Sequence, residues 1–169
     1  MAGDKFLYNN AGVITEKAAN QSSAGAGDAG KVVALDATGR IDSSMMPVGI
    51  GADTATVEAS ENLVAGDYVN IFNSSGAKAR KADASTAGKE AHGFVLAAVT
   101  SGQNATVYLE GTNTQVTGQT PGPVYLSAST PGLGASSAPS GSGNVVQRVG
   151  IAVSATAVSF EPERVVVLA

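Results

Sequence analysis

Residues 59–111, ASENLVAGDYVNIFNSSGAKARKADASTAGKEAHGFVLAAVTSGQNATVYLEG, decide the fold class of this chain. They hold three short apolar runs, YVNIF, GFVLAAV and ATVYLEG, each bounded by Gly, Asn or Ser. Runs of this length, rich in β-branched residues and separated by turn formers, predict strands rather than helices. In ATVYLE the alternation places Val107 and Leu109 on one side and Thr106, Tyr108 and Glu110 on the other. Val69 and Ile71 alternate in the same way against Tyr68, Asn70 and Phe72.

The same order of Gly-led strand, polar excursion, Gly-bearing strand, turn and strand recurs on both sides of this stretch. Gly30-KVVAL, Gly66-DYVNIF and Gly122-PVYLSA open the three stretches; 46–51, 91–96 and 147–153 follow; 54–59, 104–111 and 155–162 close them. Three related units, 30–59, 66–111 and 122–161, are therefore expected within a β-rich body spanning 30–169. Strands are expected near 31–35, 67–72, 93–99, 105–110, 123–127, 147–153 and 157–160, with no helix longer than two turns. In 145–153 the alternation puts Val145, Val149, Ile151 and Val153 on one face with Gln147 among them. The closing RVVVLA, apolar at consecutive positions, reads as a strand covered on both faces. The fold class expected is all-β: Gly-rich antiparallel barrel-like modules with an extended N-terminal arm.

Residues 1–29 form a leader. FLYNNAG and VITEK each supply a short strand at most, and ANQSSAGAGDAG is too small and polar to pack, so an extended arm and a flexible linker are expected. The arm carries Phe6, Leu7, Tyr8, Val13 and Ile14, which require a covering surface. A second molecule and the chain's own body both remain open as that surface. The Gly/Ser/Pro-rich segment 127–144 is expected on the outside of the body.

Composition narrows the function. The 169 residues suit one medium domain or two small ones. Net charge is −4 and the one tight basic cluster, KARK at 78–81, is followed by Asp83, which argues against a nucleic-acid surface. No run is long enough to span a membrane as a helix, and MAGDKFLYNN lacks the basic start and apolar core of a secretory signal, so synthesis in the cytoplasm is expected. With no Cys and one His there is no thiolate nucleophile and no structural zinc set. Gly25–Gly30 matches G-x-G-x-x-G, but a polar linker precedes it and a strand is expected after it, the reverse of a dinucleotide site. His92 has Asp67, Asp83 and Ser85 as conceivable neighbours with no spacing that singles them out, and Glu61 with Asp67 offers at best a weak ion site. No catalytic residue, cofactor or metal is assigned.

KVVALDATGRIDSSMMPVGIGADT, ASENLVAGDYVNIFN, RKADAS, AHGFVLAAV, ATVYLEG, TPGPVYLS and VVQRVGIAVS resemble the capsid decoration (head cement) proteins of tailed bacteriophages, whose module is also shared by phage tail-fibre proteins. The resemblance runs from about Lys31 to Ala169. It implies β-rich modules, a homo-oligomer with a trimer favoured, and attachment to the major capsid protein outside an assembled head. It implies no enzymatic activity. A tail-fibre or baseplate module contacting a receptor or tail partner is the alternative it leaves.

Overall fold

Asn10, Ala11 and Gly12 turn the leader back on itself. In the computed structural model, which describes residues 5–46 and 51–169, β1 (Lys5–Asn10) and β2 (Val13–Ala18) pair antiparallel as a hairpin. Ala11 and Gly12 have φ of 52° and 95°, the paired positive values that a two-residue type I′ turn demands and glycine supplies without strain. Asn9 Oδ1 accepts the Gly12 N–H at 2.7 Å and fixes the turn. The expected arm is thus a two-stranded ribbon.

The chain divides into two compact units, Met1–Gly51 and Ala52–Ala169, so residues 30–51 group with the leader. Within the first unit the strand expected at 31–35 reduces to one parallel bridge between Asn20 and Val33. The Asn20 N–H donates to the Val32 carbonyl at 2.8 Å and the Ala34 N–H to the Asn20 carbonyl at 2.7 Å. The small polar residues flanking Asn20 carry this pairing no further, and 20–30 closes as a loop through a 3-10 turn at Ala26–Asp28. A second 3-10 turn covers Ser43–Met45. The middle element of the expected first repeat, 46–51, falls mostly on 47–50, outside the described residues.

The second unit contains β3 (Thr54–Ala59), β4 (Tyr68–Asn73), β5 (Ala77–Lys81), β6 (Gly93–Phe94), β7 (Asn104–Tyr108) and β8 (Gly111–Asn113). There follow β9 (Gly122–Leu126), β10 (Gly134–Ala135), β11 (Val145–Val146), β12 (Arg148–Ser154), β13 (Ala157–Phe160) and β14 (Val166–Val167). The chain is all-β: the described residues contain the two 3-10 turns and no α-helix. β5-β4-β6-β7-β3 form a barrel, closed by a parallel pairing of β3 with β5 at Glu58–Lys78 and Ala59–Ala79. β10-β9-β12-β13-β8 form an open sheet with the same order and antiparallel senses, lacking only that closing pair. The strand sets 54–108 and 111–160 thus share one order, and each draws its first strand, β3 or β8, from ahead of the expected units 66–111 and 122–161.

Glycine makes both halves possible. A Cβ on Gly93 of β6 would lie 2.5 Å from the Tyr108 carbonyl of β7, and one on Gly150 of β12 would enter the Ser159 carbonyl of β13. The barrel interior is filled by Val57, Leu63, Val69, Val95 and Val107 with Ala59, Ala79 and Ala105, small enough for five strands to close. A second core joins barrel to sheet through Tyr68, Phe94, Val124, Leu126, Val149, Val158 and Phe160. Gln147, buried in this core, brackets the Ala91 backbone, accepting its N–H at 2.8 Å and donating to its carbonyl at 2.9 Å.

Three expectations are corrected in this unit. The strand at 93–99 stops at Phe94, because Val95 and Val99 bond to Asp67 and Leu63 instead of continuing the ladder. A register shift between Arg148 and Gly150 turns Ile151 and Val153 outward, Val153 to 61% exposure, whereas Val145 and Val149 are buried. The tail is not covered on both faces: β14 pairs with β11, and Val165, Val166 and Val167 are exposed. Segment 127–144 is mostly exposed, as its composition implies, but contributes the short edge strand β10 and a buried Gly132.

Two substitutions test this packing. Gly150→Ala, forced against the Ser159 carbonyl, is expected to lower stability by about 1–3 kcal/mol in urea unfolding. Gly27→Ala, where a Cβ meets no atom within 4 Å, is the control and leaves the midpoint unchanged. Tyr68 carries a buried hydroxyl with no hydrogen-bond partner among the described residues, and burial pushes its phenol pKa up. Tyr68→Phe removes that unpaired group and is expected to raise the urea midpoint, by up to about 1 kcal/mol in stability; a lowered midpoint would show the hydroxyl to be satisfied.

Candidate interaction site

The hairpin register sorts the candidate arm residues onto two faces. Directly opposed residues share a face, so Phe6, Tyr8 and Val13 lie on one side with Thr15 and Lys17. Leu7 and Ile14 lie on the other with Lys5 and Glu16. Leu7 is 74% and Ile14 63% exposed, and Val13 and Tyr8 are also exposed. Lys5 pairs with Glu16, while the Lys17 ammonium stands 5.0 Å above the Tyr8 ring. Both faces of the ribbon thus present apolar groups, and among the described residues the outer edge of each strand is unpaired.

The rest of the first unit does not cover itself either. Among residues 5–46 the one buried hydrophobic side chain is Ala34, while Val32, Val33, Leu35, Ile41 and Met46 are exposed. What orders this stretch is polar. Asp28 accepts the Ala24 N–H at 2.6 Å and holds Lys31 at 2.5 Å. Asp36 accepts the Thr38 and Arg40 N–H groups, and Asp42 caps the second 3-10 turn through the Ser44 N–H. The Lys31 ammonium, with the Ala24 N–H, lowers the Asp28 carboxyl to about 2. The Thr38 hydroxyl and the Arg40 and Thr38 amides lower Asp36, and the Ser44 hydroxyl and amide lower Asp42.

The residues considered for chemistry are spent on structure. His92 Nδ1 accepts the Ile71 N–H at 3.0 Å, and the His92 backbone N–H donates to the Val69 carbonyl, so His92 fastens the chain before β6 to β4. Asp83 is engaged by the Ser85 N–H and by Lys89. Glu61 accepts the Lys81 N–H at 2.9 Å, and Asp67 accepts the Val64 N–H at 2.8 Å and lies 3.4 Å from the Lys81 ammonium. Among the described residues no group of three or more His, Asp or Glu is placed to hold a metal ion. Gly25–Gly30 forms a loop with a 3-10 turn.

A feature absent from the sequence reading is a cleft of about 510 Å³ in the second unit, lined by residues 64–68, Lys81, 115–119, 130–131 and 133–134. Its apolar walls include Val64 at 57% and Leu133 at 49% exposure, and Asp67 with Lys81 forms an ion pair within it. Four separated stretches build it, which is why no local pattern announces it. Comparison with protein families, with curated proteins and with solved structures finds no match.

The carboxylate turns make a pH prediction for the first unit. A carboxyl whose folded pKa is depressed stabilises above the unfolded value of about 3.9, and that contribution is lost as pH falls through the folded value. The amide protons of Ala24, Thr38 and Ser44, which donate to Asp28, Asp36 and Asp42, are expected to keep their NMR positions down to pH about 4 and to shift below it. Midpoints at or above the ordinary aspartate value would show that these turns do not persist in solution.

Proposed function

We propose that this chain is a non-enzymatic virion structural protein that binds the exterior of an assembled tailed-phage capsid and stabilises it, as capsid decoration proteins do. The sequence resemblance from Lys31 to Ala169 supports this reading, and the observation that carries it is the β1–β2 hairpin. A two-stranded ribbon is at best marginally stable in water, and this one displays Leu7, Val13 and Ile14 to solvent. Burying such side chains gains roughly 1.5–3 kcal/mol each before ordering and association costs are subtracted. A free strand edge also accepts a neighbouring chain by backbone hydrogen bonding. The partners are the major capsid protein and further copies of this chain, with a trimer favoured. A subunit that binds the closed shell and not its dissociated parts stabilises the shell by mass action.

Co-sedimentation with undecorated tailed-phage capsids tests the reading. The full chain is expected to bind, and deletion of residues 1–15 is expected to weaken binding at least tenfold, equivalent to about 1.4 kcal/mol. The β signal of the Ala52–Ala169 unit is expected to survive the deletion in circular dichroism. Failure of the full chain to bind any such capsid would overturn the decoration role. Unchanged binding by the truncated chain would move attachment from the hairpin to the exposed tail valines or the sheet.

A further inference from the structure

The pairing of β4 with β6 runs through Tyr68–Phe94 and Val69–Gly93 and stops there. Residues 88–92, the chain leading into β6, are held beyond that point mainly by side chains. Arg80 Nη2 donates to the Gly88 carbonyl at 2.7 Å, and Asn70 Nδ2 donates to the Glu90 carbonyl at 2.8 Å. Further along β4, His92 Nδ1 accepts the Ile71 N–H at 3.0 Å, beside a backbone bond from the His92 N–H to the Val69 carbonyl at 2.8 Å. Gln147 holds the same segment from the other half of the unit, through Ala91. Residues 88–92 are thus a joint between barrel and sheet, and His92 is one of its fastenings to β4.

Of these fastenings, His92 is the one a proton can switch. Amide side chains and a guanidinium keep their donors and acceptors across the ordinary pH range, whereas an imidazole nitrogen accepts only while it is unprotonated. Once both ring nitrogens carry hydrogen, Nδ1–H faces the Ile71 N–H, donor against donor. Histidine ordinarily takes up its second proton at about pH 6.5. Protonation and the Ile71 bond exclude each other, so this fastening contributes above that range and is lost as pH falls through it. His92 is exposed, so the proton arrives without unfolding. The charged groups of the surrounding elements are already engaged. β4 and β6 carry none. On β5, Lys78 pairs with Glu58, Lys81 pairs with Asp67, and Arg80 bonds Asn70 and Gly88. On the joint itself, Lys89 pairs with Asp83, and Glu90 accepts the Gly88 N–H at 2.8 Å.

We propose that His92 is a pH-sensitive latch on this joint. With a neutral ring it closes residues 88–92 onto β4. With a protonated ring it releases the Ile71 N–H, and the joint is held by Asn70, Arg80 and Gln147. Acidification thereby loosens the contact between barrel and sheet at one point without unfolding either. The latch requires no partner, so it stands apart from the capsid reading and is measured without capsids.

NMR on the full chain tests the proposal, and with one histidine in the sequence the ring signals are unambiguous. As pH is lowered from about 7.5 to about 5.5, across the ordinary histidine range, the Ile71 amide is expected to lose at least tenfold in hydrogen-exchange protection. The midpoint of that loss is expected to match the one the His92 ring protons report. Val107, buried inside the barrel, is the reference and keeps its protection. His92→Asn puts an amide oxygen in place of Nδ1 and does not titrate, so Ile71 is expected to stay protected throughout. His92→Leu offers no acceptor, and Ile71 is expected to be unprotected throughout. The position is exposed, and circular dichroism checks that both variants fold. Constant Ile71 protection in the wild-type chain, a loss shared by Val107, or a pH-dependent loss in either variant would each overturn the proposal.

Discussion

Four aromatic rings hold the second unit together, and its two halves depend on them. Phe94 stacks on Tyr108 at 5.5 Å and meets Phe160 edge-on at 5.5 Å, while Tyr68 stacks on Phe160 at 5.9 Å. Such pairs add about 0.5–1.5 kcal/mol each beyond the area they bury. In a chain with four Phe, four Tyr and no Trp, half of the aromatic residues are committed to this single junction between barrel and sheet. Around them Val124, Leu126, Val145, Val149 and Val158, with four alanines, complete the core shared by barrel and sheet. The buried Tyr68 hydroxyl follows from putting a phenol where a Phe would pack.

The first unit is built on the opposite principle. Its order comes from carboxylates that gather backbone amides, and its large apolar side chains face outward. Polar turns define a local path but contribute little burial, and burial is the main favourable term in folding. On the function proposed above, such a segment gains burial by association. That is the physical basis on which the proposed function assigns adhesion to the leader and scaffolding to Ala52–Ala169.

Much of the second unit was legible from alternation. β4, β7, β9 and β13 fall within a residue or two of their expected positions because Val, Ile, Tyr and Leu recur there at every second position. β8 and β10 were not, since Gly-Thr-Asn and Gly-Ala carry no hydrophobic period and pair only because β13 and β9 present edges to them. Residues 31–35 read as a strand by propensity yet form only the Asn20–Val33 bridge among the described residues, a case of tertiary context overriding composition. Ile151 and Val153 were placed on the wrong side because a bulge beside Gly150 shifts the side-chain period. The arm residues Phe6, Leu7, Tyr8, Val13 and Ile14 were identifiable as apolar and lacking local cover, but their division between two faces depends on the turn at Ala11–Gly12. The cleft was invisible, being assembled from four stretches whose proximity only the topology creates.

The central claim is that the hairpin at 5–18 is completed by a partner chain. Amide hydrogen exchange on the full-length protein, dilute and free in solution and then bound to undecorated capsids, measures this most directly. Dilute, β1 and β2 are expected to exchange close to the rate of unstructured peptide while β4, β7 and β12 are protected; on the capsid, β1 and β2 become protected. Equal protection of the hairpin in the dilute free chain and on the capsid would contradict the account.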